Sequence, residues 1–318
     1  MLKKNVLVLI KMNDEQKKLL EEKSAFAEYT YTSHKLVTAE QIENANIIIG
    51  NPDAGLLKTA KKLEWLQLQS AGVGEYAKEG VLPRGIVLTN ATGAYGLAIS
   101  EYMLGVLLEL YKKLHLYRDN QQEGKWSYLG KMKAIFNSTA LIAGMGDIGG
   151  EFAKRLKALG AYTIGIKRTD ADKPDYLDEQ YTMDKLESLL PRADVVALCL
   201  PDTKLTDKII NKSTLKLMKN DAVLINVGRG NAVDTEALCA ALEAGQLFGA
   251  ALDVTDPEPL PKEHRLWSIE NAIITPHVSG GYSLDETLER IVRIAVNNLE
   301  AFIQGKSLIN VIDCSKGY

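Results

Sequence analysis

Short continuous apolar runs alternate with amphipathic stretches along most of the chain. Residues 6–10, 46–50, 63–68 and 85–89 are short runs rich in Val, Ile and Leu. Runs of that length read as strands buried in a parallel sheet. Residues 14–28 and 56–62 space their apolar positions as helices do. Residues 98–121 form the longest helical pattern, with Met103, Leu104, Leu107, Leu108, Leu110 and Leu114 apolar, until Gly124-Lys125-Trp126 breaks it. Its first part is apolar on most sides, which predicts burial. A second series follows, with strand-like runs at 139–143, 162–166, 195–200, 222–227, 249–254 and 272–275. Helical segments at 151–159, 185–190, 215–218 and 235–244 separate them. That is roughly six strands with intervening helices, the content of a doubly wound parallel sheet. A last helix at 283–304 can extend the second domain or return to the first. Packing against the first is the favoured reading, and it makes that domain discontinuous.

Length and composition narrow the class. A chain of 318 residues suits two domains better than one. Hydrophobic residues are 46% and charged residues 25% of the total, ordinary for a soluble protein. The net charge of −3 argues against non-specific nucleic-acid binding. No segment approaches the roughly 18 apolar residues of a membrane helix, and the run after Lys4 is too short for a signal peptide. Cys199, Cys239 and Cys314 are an odd number with no close pair, so neither a disulfide framework nor a zinc site is expected. These features suggest a cytoplasmic protein with no membrane, nucleic acid or metal among its partners.

The sharpest local motif is Gly144-Met145-Gly146-Asp147-Ile148-Gly149, placed between the 139–143 strand and a helix. Gly144 makes the tight turn, Gly146 lets the backbone approach a pyrophosphate, and Gly149 permits close helix–strand packing. The helix start supplies unpaired N–H groups. The next strand ends in Lys167-Arg168-Thr169 rather than in an acid; Asp170 and Asp172 come later. Two cations and a hydroxyl suit a ribose 2′-phosphate, so NADP is favoured over NAD.

Further along, the 222–227 strand closes in Gly228-Arg229-Gly230, and the rigid fork of Arg229 suits a substrate carboxylate. The 272–275 strand closes in Pro276-His277, which makes His277 the best general acid or base of the four histidines. His34, His115 and His264 read as surface or helix residues. Asp253, Asp256 and Glu258 stand near enough in sequence to partner His277. A bonded carboxylate fixes a histidine tautomer and favours the protonated ring. Spacing alone does not choose Glu258 over Asp256.

Taken together, these motifs resemble the D-isomer-specific 2-hydroxyacid dehydrogenase family over nearly the whole chain. The resemblance is carried by residues 63–73 (Leu-Glu-Trp-Leu-Gln-Leu-Gln-Ser-Ala-Gly-Val), the glycine loop, Leu200-Pro201-Asp202-Thr203, Asn226-Val227-Gly228-Arg229-Gly230, residues 251–254 through Glu258-Pro259-Leu260, and Thr275-Pro276-His277-Val278-Ser279-Gly280. It implies that Arg229 binds the substrate, His277 donates the proton and Glu258 orients it. It further implies that the backbone of Ser70, Ala71, Gly72 and Val73 holds the carboxylate. Asp253 would contact the nicotinamide amide, and the cofactor would also touch Leu200, Pro201, Thr203, Val227, Gly228 and Gly280. A homodimer formed mainly through the cofactor domains is implied as well.

The fold expected is thus α/β, two Rossmann-like domains with doubly wound parallel sheets and a deep interdomain cleft. Residues 1–98 plus 285–318 would form the substrate domain and 99–284 the dinucleotide-binding domain. Pocket walls are sought at Asn51, Tyr76, Tyr95 and Tyr282. The chain departs from the family pattern at Gly74-Glu75, at Phe136-Asn137-Ser138-Thr139, and at Lys167 and Arg168. The last departure resembles the NADP-using glyoxylate and hydroxypyruvate reductases. The expected activity is NAD(P)-dependent reduction of a small 2-oxo acid such as glyoxylate, hydroxypyruvate or pyruvate, or oxidation of the 2-hydroxy acid. Phosphoglycerate dehydrogenase and a non-catalytic nucleotide-sensing protein of the corepressor type are the alternatives; a formate dehydrogenase would carry Gln where this chain has Glu258.

Overall fold

The computed structural model describes residues 3–24, 27–169, 172–281 and 284–314. The chain divides into two compact units, Met1–Tyr95 with Tyr282–Tyr318, and Gly96–Gly281.

The first unit holds a parallel sheet of β1 (Lys4–Val8), β2 (Ala27–Tyr31), β3 (Ile47–Ile49), β4 (Trp65–Gln67) and β5 (Val87–Thr89), in the order β2-β1-β3-β4-β5. Ile47, Ile48 and Ile49 are fully buried, because a central parallel strand is covered on both faces. Helices α1 (Asp14–Glu21) and α2 (Ala39–Asn44) each start at a capping box, Asn13 with Gln16 and Thr38 with Gln41. The helix read over residues 14–28 is shorter than its pattern suggests. It stops at Glu21, and Ala27–Tyr31 pairs with β1 as an edge strand whose Tyr29 and Tyr31 rings stack 6.3 Å apart. That strand alternates half-buried with exposed residues and so lacks a continuous apolar run.

The last helix, Asp285–Ile303, belongs to this unit and buries Ile291, Val292, Ala295, Val296 and Leu299 on one face. Its Asn298 is 1% exposed. The Asn298 amide donates to Gln67 Oε1 (2.8 Å) and Ile309 O (3.1 Å), and its Oδ1 accepts from the Ile309 N–H (2.9 Å). Beyond it, Val311 bridges antiparallel to Thr89 and the Ile312 N–H donates to Leu88 O. The tail thus covers the open edge of β5, which would otherwise present unpaired backbone groups.

The second unit holds β6 (Thr139–Ala143), β7 (Tyr162–Lys167), β8 (Glu179–Thr182), β9 (Val195–Leu198), β10 (Val223–Asn226), β11 (Gly249–Leu252) and β12 (Ala272–Ile274). Their order is β12-β11-β10-β9-β6-β7-β8, all parallel. The chain moves outward from β6 to one edge, crosses back to β9 and moves outward to the other. The switch point therefore lies between β6 and β9. The sheet has one strand more than the pattern suggested: β8 is an edge strand with no fully buried residue.

The single helix read over 98–121 is two, α3 (Gly96–Lys112) and α4 (Leu114–Gln122), broken at Lys113 with φ 56°. No glycine or proline marks the break. Lys112 Nζ donates to Lys133 O (2.7 Å) and Lys113 Nζ to Leu129 O, so the returning segment holds a conformation that costs an L-residue about 1–2 kcal/mol. Helix α5 (Asp147–Ala158) follows β6.

In this sheet Ile166, Ala143, Leu198, Asn226, Leu252 and Ile274 stand in one row across neighbouring strands. Residues that follow this row emerge at the carboxyl edge of the strands, where such sheets bind ligands.

Candidate active site

The glycine loop lies at the switch point. Gly144 has φ 97°, and a Cβ there would sit 2.3 Å from Cys199 O. A Cβ on Gly149 would sit 2.1 Å from Gly144 O, whereas one on Gly146 would meet no described residue within 4 Å. Two of these glycines are needed by the protein itself, and the third leaves open an approach to backbone amides. Among the described residues, no side chain caps the start of α5. An open cradle at an uncapped helix N-terminus fits a pyrophosphate. The Asp147 carboxylate is engaged elsewhere, accepting the Gly96 N–H at the start of α3 (2.7 Å). Met145 fills the space over Gly165, where a Cβ would lie 2.9 Å from Met145 Cγ. Ile148 is half-buried.

Lys167 closes β7 half-buried, and Arg168 and Thr169 follow it exposed; Asp170 lies outside the described residues. After β9, Leu200 is buried, and Thr206 Oγ1 shapes the turn by donating to Pro201 O (2.7 Å) and accepting from the Thr203 N–H (3.0 Å). Burial pushes the Cys199 thiol up to about 12, so it stays protonated beside the loop.

Arg229 follows β10. The fully buried Asn226 ties the turn, its amide donating to Arg229 O (2.9 Å) and its Oδ1 accepting from the Gly228 N–H (3.1 Å). Arg229 Nη1 donates to Gly228 O (2.7 Å). Val227 is buried. Gly228 and Gly230 are places of close approach: a Cβ would lie 2.6 Å from Leu200 O at the first and 1.9 Å from Thr255 O at the second.

Of the neighbouring acids, Glu258 is the one whose carboxylate reaches the ring of His277, with Oε1 2.6 Å from Nδ1. Both side chains are about half exposed. Asp253 reaches the backbone of the same loop instead. Its carboxylate accepts from Thr275 Oγ1 (2.6 Å), the Val278 N–H (2.9 Å), and the N–H (3.1 Å) and Oγ (2.5 Å) of Ser279. His277 has φ 52°, and its N–H donates to Asp253 O (2.8 Å). A hollow of about 370 Å³ adjoins the pair, walled by Thr255, Pro259, Leu260, Trp267, Ile274 and Pro276. Gly280 follows, half-buried.

His34 lies in an exposed turn and His115 in α4, and His264 Nδ1 accepts the Leu266 N–H while Nε2 meets Glu236.

In the first unit, Ser70, Ala71, Gly72 and Val73 follow β4 at the carboxyl edge of its own sheet. Asn51 braces them, donating to Ser70 Oγ (3.0 Å) and accepting from the Gln69 N–H (2.9 Å). Ser70 Oγ donates to Gly72 O, and Asn90 donates to Ala71 O. Tyr76 and Tyr95 are buried, with hydroxyls donating to Pro52 O and Gln69 O, both 2.6 Å. Tyr95 thus holds Gln69 at the start of the loop, and Tyr76 holds the segment that carries Asn51. Tyr282 lies outside the described residues.

Sequence reasoning did not assign roles to Asn226, Ser279 or Thr275, although all three stand inside the quoted motifs. Tyr102, whose hydroxyl meets Thr275 at 2.7 Å, carried no signal, because its partner is 173 residues away.

A glycine loop at the switch point, with an arginine and a carboxylate-backed histidine along the same edge, is an arrangement that fits a dinucleotide-dependent oxidoreductase of the doubly wound class. The family model of the D-isomer specific 2-hydroxyacid dehydrogenase NAD-binding domain matches residues 104–279, and the chain belongs to that family. A D-isomer specific 2-hydroxyacid dehydrogenase family protein from Aeromonas salmonicida has a solved structure similar to this one. It is 33% identical with a TM-score of 0.87, over 98% of this chain and 99% of that one. A glyoxylate reductase from Thermofilum pendens is 31% identical over 80% of this chain and 76% of its own. The NADPH-dependent glyoxylate/hydroxypyruvate reductase of Sinorhizobium meliloti, solved with NADP and sulfate, is 25% identical with a TM-score of 0.83, over 99% of this chain and all of that one. Among the described residues, no three His, Cys, Asp or Glu side chains gather as a metal ion would require. No described helix is long and apolar enough to cross a membrane.

Proposed function

We propose that the protein is a 2-oxo acid reductase that uses NADPH in preference to NADH, acting on a small acid such as glyoxylate, hydroxypyruvate or pyruvate. The observation that carries this reading is the 2.6 Å contact between Glu258 and His277 Nδ1, on the same sheet edge as Arg229 and the glycine cradle. With Nδ1 facing the carboxylate, Nε2 is left to hold the proton that reaches the substrate carbonyl oxygen. Arg229 pairs with the substrate carboxylate and offsets charge growing on that oxygen. When bound, the nicotinamide supplies the hydride for C2. Asp253 sets the loop that carries His277, and the half-buried Lys167 that closes β7 and the exposed Arg168 after it take the 2′-phosphate.

The same reading includes a homodimer. Trp126, Tyr128, Met132 and Phe136 are exposed along one short segment of the second unit, an apolar row that supports a partner face.

The test is a panel of 2-oxo acids run with NADPH and NADH in parallel, on wild type and His277→Ala. Wild type should oxidise NADPH with at least one small acid, and the variant should lose about 10³-fold or more in kcat while cofactor affinity holds. Near-normal turnover by His277→Ala sinks the assignment of the proton donor. A clear preference for NADH sinks the role given to Lys167 and Arg168.

A further inference from the structure

Tyr102 lies on α3, and no step of the chemistry above uses it. Its hydroxyl is 2.7 Å from Thr275 Oγ1, which is 2.6 Å from Asp253 Oδ1. The acceptor fixes the direction of both bonds. Thr275 donates its one hydroxyl proton to Asp253 and so accepts from Tyr102. Burial pushes the Tyr102 phenol up to about 12, so it remains a donor across the neutral range. Asp253 is 1% exposed, and its other acceptor positions are taken by Val278 and Ser279. The carboxylate is committed to the loop. Between its anchors, His277 sits at φ 52°, in the left-handed region a β-carbon disfavours. Such a conformation persists only where the surroundings over-determine it.

We propose that Tyr102 is a positioning residue for His277, acting through Thr275 and the Asp253 carboxylate to hold loop 275–279 in the shape that presents the imidazole. The proposal rests on the catalytic role given to His277 above, but the geometry of the loop can be tested without turnover. Tyr102→Phe keeps the ring and removes the donor; Thr275→Val removes the relay, and Thr275→Ser keeps it.

In cofactor-free protein with isotope-labelled histidine, the His277 ring signals are assigned through His277→Gln. Tyr102→Phe and Thr275→Val should shift those signals and speed amide exchange at Val278 and Ser279 by about tenfold. With substrate, kcat should fall about five- to tenfold while KM and the NADPH Kd stay within about twofold. Thr275→Ser should match wild type, and the double variant should be no worse than either single one, as one relay broken twice. Unchanged ring signals and amide exchange in the variants overturn the proposal. So does additivity, or a Thr275→Ser variant as impaired as Thr275→Val. Should Tyr102→Phe fail to fold, the Thr275 pair carries the same decision. A wild-type protein that reduces no 2-oxo acid would overturn the functional reading alone, since the spectroscopic arm still decides on Tyr102.

Discussion

Replacing Gly149 and Gly146 by alanine, one at a time, should separate two kinds of need within one loop. At Gly149 the new methyl carbon would start 2.1 Å from Gly144 O and 3.1 Å from Ile142 Cγ2. A carbon cannot remain that close to a carbonyl oxygen, so α5 must retreat from β6 by about an ångström. Overpacking of that kind costs about 1–3 kcal/mol, which for a unit of this size lowers Tm by about 3–10 °C. The helix N-terminus moves with it, so the NADPH Kd should also rise, by about tenfold or more. At Gly146 the backbone is at φ −83° and the methyl meets no described residue within 4 Å. Stability should hold or rise by a few tenths of a kcal/mol, roughly the gain from a stiffer unfolded chain. Only the nucleotide should object, because the methyl stands in its approach. The assay is a thermal melt of each variant without nucleotide, beside an NADPH fluorescence titration. Two outcomes refute the reasoning: a Gly149→Ala melt within 1 °C or so of wild type, or a Gly146→Ala protein that binds NADPH normally.

Two further outcomes are expected. Asn298→Leu loses three buried or half-buried hydrogen bonds and leaves Gln67 Oε1 with its Thr89 donor alone, so the first unit should lose about 2–4 kcal/mol, read by urea melts. The second concerns acid stability. Arg192, with the Tyr181 and Tyr162 hydroxyls, holds the Glu179 carboxyl down at about 2. Because the folded value is depressed, the stabilisation is full above the ordinary 4.5 and is lost as pH falls through 2. Arg192→Gln should therefore melt below wild type at pH 6, with the gap closing towards pH 2. Since the arginine is 42% exposed, the gap should stay under about 1 kcal/mol. A gap that widens with acid would contradict the sign.

Most of the second unit was legible because each of its central strands announces itself and ends in a residue type with a chemical reason to be there. Parallel register then did the rest, bringing Gly144, Lys167, Arg229, Asp253 and His277 to one edge although they span more than a third of the chain. What failed to show were elements held by contacts rather than by pattern. The edge strands β2 and β8 lack the apolar run that full burial imposes. The turn at Lys113 depends on carbonyls of residues 129 and 133, which no local rule at 113 can foresee. The choice of Glu258 over Asp256 as neighbour of the ring is a matter of backbone path through a proline-rich turn, and two positions apart in sequence are alike in chemistry. Tyr102 is the extreme case, since a single hydroxyl bond to a distant strand end leaves no trace in periodicity.

The construction of the first unit from both ends of the chain also sets an order of events during synthesis. Strand β5 and the ring of Trp65 leave the ribosome early. The bridge from Val311 and the stacking ring of Phe302, 5.4 Å from Trp65, come some two hundred residues later. At about 5–20 residues per second, that interval lasts roughly 10–45 s. Throughout it the N-terminal sheet keeps one edge unpaired and part of its core uncovered, while the unit inserted after it is made and gains the last of its own strands, Ala272–Ile274. The part of the chain made first is thus completed last, and the nascent protein spends its most vulnerable seconds with that sheet edge open.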